Sequence, residues 1–155
     1  MIAPPQGGTV PEIQTQLEID TPPDTVWRIL ADFPAYPDCN PFVTSIEGRQ
    51  TVGERLTARY EPPDSRATTQ GLTLRHFEPG VELRWLGHLG SPYIFYGEHS
   101  VRLEANATGG TTVHHSEHFG GVLAVPLLWL VRKNTERGFE AMNTALKARA
   151  EASPA

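Results

Sequence analysis

Between Val43 and Phe119 the chain passes through six consecutive strand-like stretches, and past Gly120-Gly121 its apolar period lengthens abruptly to that of a helix. The stretches are Val43 to Glu47, Glu54 to Tyr60, Ala67 to Phe77, Val81 to Leu89, Tyr93 to Ala105 and Thr111 to Phe119. Gly48, Glu61-Pro62-Pro63-Asp64, Glu78-Pro79-Gly80, Gly90-Ser91-Pro92 and Gly109-Gly110 separate them, and each supplies the positive or fixed φ that a chain reversal needs. Such an order predicts an antiparallel meander followed by one long helix of about 25 residues, with Leu128, Val131, Thr135, Phe139, Met142 and Leu146 along its apolar side.

Upstream, Glu12 to Asp20 alternates Ile13, Thr15, Leu17 and Ile19 with polar residues, the signature of a first strand with one buried face. Asp20 or Thr21 is placed to cap a helix that tolerates Pro22 and Pro23 in its first turn and carries Val26, Trp27, Ile29 and Leu30 as its stripe. Pro34, Pro37 and Pro41 then leave room only for a very short second helix or tight turns. The expected class is α+β: a curved antiparallel sheet of about seven strands around a long C-terminal helix, with two short helices after the first strand. A strongly bent sheet needs its concave face covered, and only the terminal helix is long enough to cover it. Where the two diverge, a cavity is expected.

At 155 residues the chain can bury one core of its own, and we read residues 12–151 as a single domain between tails at 1–11 and 152–155. The first eleven residues have neither a basic start nor an apolar block and do not read as a signal peptide. Val122 to Val131 is broken by Pro126 and is half the roughly 20 residues a bilayer crossing requires, so no transmembrane segment is expected. The only cysteine, Cys39, forms neither an internal disulfide nor a cysteine-rich metal site, which points to the cytoplasm. Thirteen basic against eighteen acidic residues, with no Lys/Arg run, argue against nucleic acid as a partner. Nothing in the sequence decides between monomer and homodimer.

Several segments carry a family resemblance: Thr25 to Phe33, Tyr36-Pro37, Asn40 to Val43, Leu83 to Gly87, Gly97-Glu98-His99, Glu117 to Gly121 and Gly138 to Asn143. In order and spacing the chain resembles the START-like, or SRPBCC, superfamily, which includes polyketide cyclase/dehydrase-like proteins, pollen-allergen-type carriers and lipid-transfer domains. The resemblance implies a helix-grip fold with a deep ligand cavity; it implies no single reaction. Cys39 departs from similar chains, which often carry Trp at that place.

Strand phase then indicates which side chains face inward. Tyr93, Phe95, Gly97, His99, Val101 and Leu103 share one face of their strand, and Val113, His115, Glu117 and Phe119 share one face of the next. His99, His115 and Glu117 are thereby expected to converge, as catalytic candidates or as groups that hold a ligand's polar end. The plainer alternative is that they satisfy one another. Two histidines and a carboxylate also match a facial metal triad, but no metal and no cofactor is expected. His114 and His118 belong to the opposite, solvated face. The expected ligand-lining set is completed by Tyr60, Leu72, Leu74, Leu83, Trp85, Phe95, Leu128, Val131, Phe139 and Met142, with Tyr36 and Phe42 at the entrance. No Gly-x-Ser-x-Gly elbow, phosphate loop or His-Glu-x-x-His pair is present. The leading expectation is a carrier of an apolar or aromatic small molecule, lipid or polyketide-like. The alternatives are a cyclase or dehydratase working through the same His/Glu pair, and a domain that docks on a partner or membrane surface through Val122 to Val131.

Overall fold

The computed structural model describes residues 11–153. The expected tails at 1–11 and 152–155 lie outside these apart from Pro11, whose carbonyl accepts a hydrogen bond from Phe119, and the helix-terminal Ala152 and Ser153. Strand β1 (Glu12–Ile19) leads into helix α1 (Pro23–Leu30), a 3-10 turn (Phe33–Ala35) and the single-turn helix α2 (Tyr36–Cys39). Six strands follow, β2 (Val43–Glu47), β3 (Arg55–Tyr60), β4 (Thr68–Glu78), β5 (Glu82–Leu89), β6 (Phe95–Ala105) and β7 (Thr111–Gly120), and then helix α3 (Ala124–Ala152). All seven strands form one antiparallel sheet in the order β1-β7-β6-β5-β4-β3-β2, so each sequential hairpin pairs and β1 closes onto the last strand. This is the curved sheet and long terminal helix expected from the period change.

Local boundaries differ from expectation for identifiable reasons. Helix α1 is capped by neither Asp20 nor Thr21: Pro22 occupies the N-cap, its carbonyl accepts from Thr25 and Val26, and no side chain caps the turn. Tyr93 is not a strand residue. Ser91 accepts hydrogen bonds at its carbonyl from Ile94 and Phe95, which wraps Pro92 to Ile94 into a turn and leaves Tyr93 86% exposed. In β4 the pairing to β5 slips between Leu74 and His76, a bulge that sharpens the local twist.

The core lies between the concave face and α3. Leu128, Gly138, Phe139, Met142, Asn143, Leu146 and Ala150 are the buried side of the helix. Gly138 lets it approach closely: a Cβ there would collide with the Phe42 ring. Phe42 is itself pinned, because Asn40 Oδ1 accepts hydrogen bonds from the amides of Phe42 and Val43 at 3.0 and 2.9 Å. No helix among the described residues is long and apolar enough to cross a membrane.

Candidate functional site

Register places the inward side chains in rows that run across the sheet. Leu74, Trp85, His99, Glu117 and Ile13 are successive cross-strand partners on β4, β5, β6, β7 and β1. In the neighbouring row stand Leu72, Gly87, Gly97 and Phe119. Two of those four positions have no side chain, and they are directly opposite each other. A Cβ at Gly87 would lie 2.9 Å from Leu72 Cδ2, and one at Gly97 would lie 2.7 Å from Glu117 Oε1.

Above these glycines the sheet and α3 separate around a recess of about 510 Å³, within the range of small-molecule sites. Phe42, Tyr60, Leu72, Trp85, Phe95, Phe119, Leu127 and Val131 supply its apolar wall, and Gln70, Glu117, Asn134 and Thr135 supply polar groups. Ser65, Arg66, Thr68 and His88 stand at its outer side. Of the residues singled out from sequence, the recess takes Tyr60, Leu72, Trp85, Phe95, Glu117 and Val131, with Phe42. Leu74, Leu83, Leu128, Phe139 and Met142 are packed into the core instead. Tyr36 stands apart from the recess: its ring packs edge-on to Phe33, and its hydroxyl donates to the Leu30 carbonyl at 2.6 Å. Gly87, Gly97 and Phe119 were readable from strand phase as inward positions, and the paired glycines are the signal that a floor lacks side chains.

The histidines lie beyond the aromatic wall. His99 is stacked on Trp85 with ring centroids 4.6 Å apart, and His115 is stacked on Phe139 at 4.0 Å, both imidazoles essentially without solvent exposure. Their Nε2 atoms are 2.7 Å apart. Asn143 settles the protons. Thr15 donates its hydroxyl proton to the His115 carbonyl and accepts from Asn143 Nδ2, which turns Asn143 Oδ1 toward His115 Nδ1 at 2.6 Å. His115 therefore carries its proton on Nδ1, His99 donates from Nε2, and His99 Nδ1 is a buried acceptor without a donor among the described residues. Burial holds both imidazoles neutral: the His115 pKa falls to about 4 and that of His99 well below the usual histidine value, the neighbouring His115 lowering it further. With both Nε2 atoms turned on each other no space is left for an ion between them, and Glu117 does not join the pair; the described residues hold no group of three such side chains placed for a metal.

Glu117 is different. Its carboxyl faces the recess, enclosed by protein yet open to water entering there, and among the described residues it has no hydrogen-bond donor and no ion-pair partner. Burial alone raises its pKa to about 7. The folded state thus retains a proton that the unfolded chain releases above pH 4.5, and Glu117 weakens the fold as pH rises from there to about 7. Glu117→Gln is expected to stabilise the protein at pH 8 by about 1–3 kcal/mol and to change little at pH 4, read from urea unfolding at both pH values; equal effects at the two would remove the buried carboxylate as the cause. Tyr60 presents the second polar group, its hydroxyl held by a 2.9 Å hydrogen bond from Trp85 Nε1.

A family model described as polyketide cyclase / dehydrase and lipid transport matches residues 11–151. The chain belongs to this family. Solved structures with the fold of this polyketide cyclase/dehydrase family member include the ZhuI aromatase/cyclase from Streptomyces sp. R1128, at 17% identity and a TM-score of 0.73, with 90% of this chain and 93% of that one covered. The protein TTHA0849 from Thermus thermophilus follows at 18% identity and TM-score 0.71, covering 93% and 99%. Ara h 8.0201 stands at 15% and 0.69, covering 92% and 98%. No curated protein sequence matches the chain. At these identities the family member shares a helix-grip fold with its structural neighbours.

Two outlying features complete the site's surroundings. Val122, Val125, Trp129 and Leu130 are exposed where α3 begins, and backbone hydrogen bonds from Val122 and Leu123 tie that start to the Tyr93-Ile94 turn beside the recess. Cys39 is half-buried near Tyr36, Leu146 and Arg149, where burial raises its thiol pKa, the opposite of what an activated nucleophile requires.

Proposed function

We propose that the protein binds an apolar or aromatic small molecule, lipid or polyketide-like, in the recess between sheet and helix, with Glu117 as the group that meets its polar end. The observation that carries this reading is the 510 Å³ space floored by Gly87 and Gly97 and walled by aromatic rings. A ligand there removes apolar surface from water at roughly 25 cal/mol per Å² while leaving one carboxyl to orient it. The lone Cys39 keeps the cytoplasm as the proposed compartment.

The test is saturable binding of N-phenyl-1-naphthylamine, followed by its fluorescence. Thr135→Trp fills the recess from the helix side and is expected to weaken binding at least about tenfold, with the melting temperature showing whether the variant is folded. Unsaturable binding, or affinity unchanged in that variant, would overturn the reading. Native mass spectrometry of freshly purified protein identifies any retained molecule directly.

Two other readings have an observation each. A cyclase or dehydratase is supported by a carboxyl that exchanges its proton near pH 7 inside the recess, and its mark is turnover of a poly-β-ketone that is lost in Glu117→Gln while affinity is kept. Docking on a partner or membrane surface is supported by the exposed apolar start of α3, where Trp129 is 81% exposed.

A further inference from the structure

The recess contains a mismatch. Its walls are aromatic, from Phe42, Tyr60, Trp85, Phe95 and Phe119, yet its inner end carries an acid with nothing among the described residues to compensate it. Buried carboxylates are normally met by a cation or by several donors. Glu117 has neither among the described residues, and burial raises its pKa. Gly97 beneath it contributes no side chain and leaves the carboxyl at the floor rather than displacing it into the recess.

We propose that the recess selects an organic cation, a protonated amine carried on an aromatic or alicyclic body, whose N–H groups donate to Glu117 while its charge lies among the surrounding rings. The inference rests on the reading of the recess as a ligand site and narrows the class of ligand. A neutral hydroxyl satisfies one lone pair of a carboxylate and leaves the charge uncompensated. An ammonium group does both, and its hydrogen bonds to carboxylate are about twice as strong as neutral ones. Aromatic faces carry negative potential, so rings that merely tolerate a neutral guest attract a cationic one. The Tyr60 hydroxyl, its oxygen already accepting from Trp85, supplies a dipole beside the charge.

The other ionisable groups do not substitute for such a ligand. His99, the cross-strand neighbour of Glu117, is held neutral by burial, and His115 on the same strand is held neutral with it. Tyr60, from β3, is pushed further toward its neutral form by burial and by the Glu117 charge. Arg66 and His88 stand at the outer side; Arg66 is exposed, so solvent screens its charge. Binding is therefore coupled to the ionisation of Glu117: at acid pH the site must first lose a proton, and above neutrality it is already charged.

Isothermal titration calorimetry with 1-naphthylmethylamine and the near-isosteric neutral 1-naphthalenemethanol separates the possibilities. At pH 8 the amine is expected to bind at least about tenfold more tightly than the alcohol, and at pH 5 that advantage is expected to disappear. Glu117→Gln is expected to remove the amine's advantage at pH 8 and to show no preference between the two probes at pH 5. The wild-type pH series stands on its own if the variant proves unstable. Equal affinities of amine and alcohol at pH 8, or an amine preference that survives in Glu117→Gln, would overturn the cation proposal and leave the recess as a site for neutral ligands. Failure of both probes to bind would overturn the cation proposal and count against the ligand-site reading as well.

Discussion

Phe139→Ala is expected to lower the free energy of unfolding by about 3–5 kcal/mol, the largest effect of any single truncation along α3. Phe139 has no exposed surface, lies flat on His115, and stands 5.1 Å from the His99 ring and 5.9 Å from Phe42. Removing its ring withdraws the apolar cover from both imidazoles at once, because His99 has Trp85 only on its other side. Hydrogen bonds between buried groups such as these gain strength from the low dielectric that an apolar cover maintains. The cavity left by the ring would border the histidine pair, so the cost exceeds simple loss of transfer free energy. Urea unfolding at pH 7 measures it; a loss below about 1.5 kcal/mol would mean that the helix is not held through this contact.

Acid is expected to unfold the protein through the same pair. Both histidines have folded pKa values below the unfolded value of 6.5, so below that pH the unfolded chain takes up protons that the native state refuses. Their contribution is complete above pH 6.5 and is lost as pH falls; for His115, between 6.5 and about 4, the loss amounts to about 3 kcal/mol. His99 adds a loss of the same sign. Glu117 acts in the opposite direction between 4.5 and about 7, which flattens the decline in the upper part of that range and leaves it steepest toward pH 4. Urea unfolding across pH 4 to 7, together with the ring resonances of His99 and His115, tests this. Stability that rises toward pH 4, or either ring titrating near 6.5, would contradict a neutral pair.

Much of the fold was legible because strands and helices differ in period. The alternation in Glu12–Ile19 and in Phe95–Ala105 reports a pleat with one buried face, and the long helix declares itself through Leu128, Phe139, Met142 and Leu146. Strand phase also placed His99, His115 and Glu117 on a common face, as the register has them. Phase says nothing of depth, however. Glu117 opens to the recess while His115, two residues away, is shut behind Phe139, because the helix meets the sheet at one row and leaves it at the next. The Leu74/His76 slip and the exposed Tyr93 were equally hidden: a bulge and a turn are each decided by hydrogen bonds between segments, which side-chain alternation does not record. Asn143, polar within an apolar stripe, was the one helix residue whose role as proton organiser could have been suspected from its position.

The floor of bare peptide at Gly87 and Gly97 separates two properties that usually vary together. Enlarging residue 87 would press on Leu72 and so change how long a guest fits, whereas enlarging residue 97 would press on the Glu117 oxygen and so change where the acid sits. Capacity and charge placement are adjustable one at a time, each by a position that itself carries no functional group.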